Sequence, residues 1–218
     1  MSLTSKMLKK YGLEGEKPNE QNPPDMPQNF FRWIVAGQTG SGKTTLITEA
    51  VLTGQLKFYK LYLYTKNPFE DKYLMLANHY ADLAEKMGVP INEIFEVGRG
   101  IEDIVAVDDL NKEIDNLIIF DDFMADKLAN ETIILEHFLR GRKAHASYIY
   151  LTQSYFRVPK DVRLQADYAT VFRYKNKVEI NAIKQRVAND IDEETFLREY
   201  KEATDKPHGS YFIDQRID

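Results

Sequence analysis

Nine consecutive residues carry the strongest chemical signal in the sequence. Gly37, Gln38, Thr39, Gly40, Ser41, Gly42, Lys43, Thr44 and Thr45 read GQTGSGKTT and satisfy G-x-x-x-x-G-K-[ST]. Glycines let such a loop turn successive backbone N–H groups inward around phosphate oxygens, and the N-terminus of a following helix adds positive dipole. In that setting Lys43 reaches the β- and γ-phosphates of a nucleoside triphosphate, and the Thr44 hydroxyl ligates Mg²⁺. With ordinary residue usage the four fixed positions coincide by chance in about 1% of chains this long. The loop is therefore read as a triphosphate site.

Two more positions extend that chemistry. The run NLIIFDD ends an apolar segment on Asp121 and Asp122. Asp121 at such a strand end holds Mg²⁺, through water, and Asp122 directly after it polarises the attacking water. The alternative for Asp122 is a solvated strand end or a helix N-cap. Gln153 closes the next apolar run, SYIYLTQ, where its amide can bond both the lytic water and the γ-phosphate. No N-K-x-D and no D-x-x-G after the third strand accompany these residues, which favours adenine over guanine. The ligands implied are ATP and Mg²⁺.

These residues need strands that deliver them to one edge. Continuous apolar runs at 32–36, 60–65, 116–120, 147–152 and 169–174 are separated by helical patterns. That texture marks a mostly parallel sheet buried on both faces. The spacing predicts helices starting near Gly42 and over 71–87, 101–113, 130–142, 177–187 and 193–203. IFEV at 94–97 reads as a short strand or loop, and SYFID at 210–214 as an edge strand. Residues 1–29, with four prolines, read as an extended N-terminal arm holding a short helix near Lys6–Tyr11. Residues 30–218 form the P-loop domain. The pieces are similar to P-loop ATPases with an extra strand between the two phosphate-site strands. That likeness implies an α/β three-layer sandwich with core order 5-1-4-3-2.

Composition narrows the field. The chain has 218 residues and no cysteine, which removes disulfide frameworks, Cys-zinc sites, iron–sulfur clusters and thiol catalysis. Its four histidines share no metal-ligand spacing, and Trp33 and the tyrosines of KLYLY and SYIY read as sheet packing. No apolar run reaches the ~18 residues of a membrane span, and the N-terminus lacks a secretory h-region. Cytoplasmic residence without stable membrane insertion is expected. A net charge of −5 means that any contact with nucleic acid is local.

One block is more specific than the phosphate motifs. HFLRGRKAHASYIYLTQSYFRVPKDVR, from His137 to Arg163, resembles the sensor region of viral genome-packaging ATPases of the poxvirus and large-DNA-virus type, in the FtsK–HerA superfamily. With the loop and the acid pair, the resemblance spans about Trp33–Tyr174. It implies an ATP-driven motor that moves double-stranded DNA into a preformed capsid, through a homo-oligomeric ring that is usually hexameric. A capsid or portal-vertex protein is the implied partner, and the host cytoplasm during virion assembly, or a virion vertex, the implied location. A domain this small cannot encircle a duplex, so a ring is needed on size alone, with an arginine finger supplied by the neighbouring subunit. Arg142 is the first candidate, Arg140 the second and Arg173 the third. Phe156, Arg157, Lys160 and Arg163 could contact DNA, or could dock their loop onto the sheet; Lys57, Lys60 and Lys66 are a weaker alternative. The related readings are a DNA pump for conjugation or segregation, and a non-motor P-loop kinase or ATP-gated assembly protein.

Overall fold

The structure, a computed structural model, describes residues 22–23, 26–28, 30–123, 125, 130–187 and 191–216. Most of the expected N-terminal arm, with the short helix near Lys6–Tyr11, lies outside the described residues. The end of the arm that is described packs down: Gln28 N donates to the Tyr168 hydroxyl at 3.2 Å, and Lys57 N donates to Asn22 Oδ1 at 3.0 Å.

Seven strands make one sheet. They are β1 (Arg32–Ala36), β2 (Lys60–Thr65), β3 (Phe95–Gly98), β4 (Asn116–Asp121), β5 (Ala146–Thr152), β6 (Tyr168–Phe172) and β7 (Ser210–Asp214). Their order is β3-β2-β4-β5-β1-β6-β7. Every pairing is parallel except β6 with β7. Counting only the five long apolar runs, this is the expected 5-1-4-3-2. The short segments at 95–98 and 210–214 add one strand at each edge.

Alternate residues of the central strands feed two cores. Ile34, Ile118, Phe120, Tyr148 and Tyr150 face one side, with Phe138, Val162, Ile183 and Phe196 from the helices α3 (Leu135–Arg140), α4 (Lys160–Gln165), α5 (Lys177–Val187) and α6 (Glu193–Thr204). Trp33, Val35, Leu117, Ile119 and Leu151 face the other, with Ile47 and Val51 of α1 (Lys43–Leu52) and Tyr73, Leu76 and Tyr80 of α2 (Asp71–Met87). The result is a three-layer sandwich. Each such side chain contributes about 1.5–3 kcal/mol when fully buried, which is why both faces of these strands read as apolar. Trp33 keeps its indole N–H satisfied by donating to Thr170 Oγ1 at 2.9 Å.

Two expected helices differ. Residues 101–113 hold only short 3-10 turns at Ile101–Asp103 and Val107–Asp109. Their apolar residues Ile104, Val107 and Leu110 still reach the core, so the spacing marks burial without a helix. The segment 130–142 is helical but changes pitch, from a π turn at Asn130–Ile134 through α3 to a 3-10 turn at Gly141–Ala144. α4 was not expected. Among the described residues no helix is long and apolar enough to cross a membrane.

Candidate active site

The phosphate loop joins β1 to α1. Gly37 N donates to Thr152 O at 3.0 Å, which holds the start of the loop against β5. A Cβ at Gly37 would lie 2.6 Å from Ser41 Oγ and 2.7 Å from Phe172 Cβ, so no larger residue fits there. Gly42 caps α1 at φ 111, in the left-handed region that glycine enters freely. It offers the helix no side-chain cap, and the first turn of α1 holds no acidic residue. The terminal N–H groups and the dipole are thus left for an anion. Ser41 Oγ is buried and without a hydrogen-bond partner among the described residues, the condition of a donor prepared for a phosphate oxygen.

Lys43 curls back over this loop. Its ammonium donates to Gly37 O at 2.5 Å and Gln38 O at 3.1 Å. Burial lowers its pKa, against the opposing charges of Asp121, Asp122 and Glu70. Those three acids, with Thr39, Gly40, Thr44, Thr65, Asn67, Thr152 and Gln153, line one cavity of 210 Å³. Sheet order explains the convergence. The ends of β2, β4, β5 and β1 stand side by side, and at each end the chain turns off carrying polar residues.

The cavity's carboxylates differ in setting. Asp121 ends β4 and accepts a 2.5 Å hydrogen bond from the hydroxyl of Tyr73, a buried residue of α2. Burial raises its carboxyl to about 6; the Tyr73 hydrogen bond pulls it down, Glu70 and Asp122 push it up, and Lys43 pulls it down. Thr44 lines the same cavity as Asp121, so the two expected Mg²⁺ ligands face one space. A hydroxyl and a carboxylate in one polar cavity suit Mg²⁺, which takes one or two protein oxygens and fills its shell with water and substrate phosphate. Asp122 is exposed and sits at φ 62, an uncommon angle for a residue with a Cβ, so the chain turns sharply as it leaves β4.

Gln153 is exposed in the same cavity, and its carbonyl accepts from the Tyr174 hydroxyl at 3.0 Å. The loop beyond it is fastened by buried Glu179 of α5, which accepts from Ser154 Oγ and, at 3.1 Å, from Phe156 N. Phe156 and Arg157 project from this anchored loop into solvent, as does Lys160. Arg163 instead packs over the Tyr155 ring.

The three candidate finger arginines do not gather at this cavity. Arg140 and Arg142 lie at the opposite end of β5, roughly 20 Å along the strand. Arg142 pairs with buried Asp167, and Arg140 with Asp108 and Glu136. Arg173 faces Asp205 at 3.8 Å beside its own phosphate loop. It lines a second cavity of 390 Å³ with Gln38–Ser41, Phe172 and residues 204–209. His208, at φ 60, donates from Nδ1 to Ser41 O at 3.0 Å there. Lys60, in the weaker DNA set, is paired with Glu96.

Sequence reading missed Asn67, Glu70, Tyr73 and His208. The signal for the first three was topological: β2 is β4's neighbour, with Thr65 opposite Asp121, so the segment after Thr65 must border the acid pair. Nothing comparable pointed to His208.

Comparison with known proteins agrees with this geometry. A DNA packaging protein of vaccinia virus (strain Copenhagen) is 32% identical over 132 residues, 59% of this chain and 48% of its own. The variola virus protein of the same description is 31% identical over the same shares. The chain thus spans about half the length of the curated relatives it matches. Among solved structures, the genome packaging NTPase B204 of Sulfolobus turreted icosahedral virus 2 in complex with sulfate has a TM-score of 0.62 at 19% identity. That match covers 86% of this chain and 92% of B204. The same NTPase in complex with AMPPCP has a TM-score of 0.55 at 18% identity, covering 77% and 85%. These structures share the fold. The family described as Poxvirus A32 protein matches residues 22–198, most of the sequence and every residue of the 210 Å³ cavity, and the chain belongs to that family.

Proposed function

We propose that the chain is an ATP-hydrolysing motor that drives double-stranded DNA into a preformed capsid. The observation that carries the reading is the single cavity in which Lys43, Thr44, Asp121, Asp122 and Gln153 converge on the phosphate loop. Family membership and the vaccinia and variola relatives described as DNA packaging proteins supply the load. The loop N–H groups and Lys43 hold the β- and γ-phosphates and stabilise charge on the transferring phosphoryl group. Thr44 and Asp121 would hold Mg²⁺, which when bound neutralises phosphate charge. Asp122 polarises the attacking water.

Gln153 couples the γ-phosphate to the DNA. It sits one residue before the loop clamped by Glu179, whose tip carries Phe156 and Arg157. A shift of Gln153 on loss of the γ-phosphate moves those side chains against the duplex. The subunits form a ring, with six copies the expected number. Arg142 or Arg140, too far from its own phosphate loop, serves the neighbour's ATP and leaves its present ion pair to do so. A capsid or portal-vertex protein seats the ring in the host cytoplasm during assembly.

Translocation tests this directly. Purified protein with ATP and Mg²⁺ is expected to strip a triplex-forming strand from linear duplex DNA, and Lys43→Ala protein to leave it in place. Displacement by both proteins alike, or by neither, would contradict the motor reading.

A further inference from the structure

The cavity contains a carboxylate that the mechanism above does not use. Glu70 precedes α2 and occupies its N-cap position, yet its side chain makes no capping hydrogen bond. It lines the same cavity as Lys43, Asp122 and Gln153. The loop that carries it is held in a fixed turn. Asn67 N donates to Thr65 Oγ1 at 3.2 Å, Glu70 N donates to Asn67 O at 3.3 Å, and Tyr73 N donates to Glu70 O at 2.9 Å. Thr65 in turn lies directly opposite Asp121 in the register of β2 and β4.

Reach distinguishes Glu70 from Asp122. Neighbouring strands stand about 4.8 Å apart, so a residue leaving β2 needs a longer side chain to act on a group above the end of β4. Glutamate has the extra methylene. Asp122, already above β4, is shorter, exposed and held by a left-handed backbone. The two carboxylates therefore line one cavity with the phosphate loop, Glu70 on the segment that follows β2 and Asp122 at the end of the neighbouring β4. The electrostatics agree: the charge of Glu70 bears on Lys43 and on Asp121.

We infer that Glu70 is a second catalytic carboxylate, acting with Asp122 as one unit to orient the attacking water and accept its proton. The inference rests on the ATP-hydrolysis reading above. In the step it describes, the water oxygen bonds to the γ-phosphorus as the bond from that phosphorus to the β,γ-bridging oxygen breaks. The electron pair of the broken bond stays with ADP, and the water's proton passes to the carboxylate pair. Carboxylates at this place discriminate between reacting and merely bound nucleotide, because only the water needs them.

The test is single-turnover ATP hydrolysis by the full chain with Mg²⁺, measured beside the affinity for a fluorescent non-hydrolysable ATP analogue and the melting temperature. Glu70→Gln is expected to slow hydrolysis by about 100-fold or more, with analogue affinity and melting temperature unchanged. Glu70→Asp should recover part of the rate. Because the two acids act as one unit, the double variant Glu70→Gln, Asp122→Asn should be no slower than the slower single variant. Hydrolysis by Glu70→Gln at the native rate would overturn the inference. So would a loss of rate matched by an equal loss of affinity or of folding. A native protein that binds the analogue but never hydrolyses ATP would remove the hydrolysis reading itself, whatever the variants do.

Discussion

Asp121 shows what the site costs the fold at the scale of single residues. Its carboxyl is raised from 3.8 to about 6, with burial the first cause. The folded chain then holds that proton more tightly than the unfolded chain. Its destabilising effect is absent below about pH 4, grows as pH rises, and is complete above about pH 6. Asp121→Asn should therefore raise the melting temperature of nucleotide-free protein at pH 7 by roughly 5 °C, a gap that closes by pH 4. A gap that persists at pH 4, or a variant that melts lower at pH 7, would contradict this reading. Tyr73 makes a different contribution, because its hydroxyl fixes the Asp121 carboxylate. Tyr73→Phe should weaken Mn²⁺ binding in the nucleotide complex by 10-fold or more, read by paramagnetic resonance, while metal-free nucleotide binding is retained. Equal Mn²⁺ affinity in both proteins would sink that role. The convergence of Lys43, Thr44, Asp121, Asp122 and Gln153 on one cavity was legible because each lies at or just beyond the end of an apolar strand in chain order. The placement of Tyr73 and Glu70 beside them was not, because it depends on which strands are neighbours, and no local pattern states that.

At the scale of elements, the sheet order was legible from five apolar runs, and pitch and pairing were not. Residues 101–113 carry a helix-like spacing, but the chain returns from β3 to β4 in short 3-10 turns that bury Ile104, Val107 and Leu110 without a regular helix. β7 pairs antiparallel with β6, a partner that only the return of the chain after α6 supplies. The elements are held at the end of the sheet far from the site. Asp167 accepts from Arg32 N at 2.9 Å and from the Arg32 guanidinium at 3.1 and 3.0 Å, while Asp167 N donates to Arg32 O at 2.8 Å. Arg142 joins the same carboxylate. Asp167→Ala leaves buried donors and a nearly buried guanidinium without their acceptor. It should cost about 3 kcal/mol and lower the melting temperature by roughly 8 °C. A melting temperature unchanged from the native protein would show that the clamp contributes nothing net. The same clamp accounts for the position of Arg142, whose ion pair with Asp167 helps join β1 to β6.

At the scale of the whole molecule, a net charge of −5 and a DNA-moving role fit together only if contact is confined to a few side chains. Phe156, Arg157 and Lys160 are the exposed members of such a set, just beyond the segment after Gln153 that is fastened to α5. Few phosphate contacts per subunit mean weak binding by one copy and strong dependence on both ring formation and salt. The central claim, a ring-forming motor that turns over ATP on duplex DNA, is tested most directly by ATP hydrolysis measured against protein concentration, with and without double-stranded DNA at low salt. The account predicts turnover per subunit that rises cooperatively with concentration, rises further with DNA, and loses the DNA increment as salt increases. Turnover per subunit that is constant with concentration and indifferent to DNA would contradict it, and would describe a P-loop module that works alone.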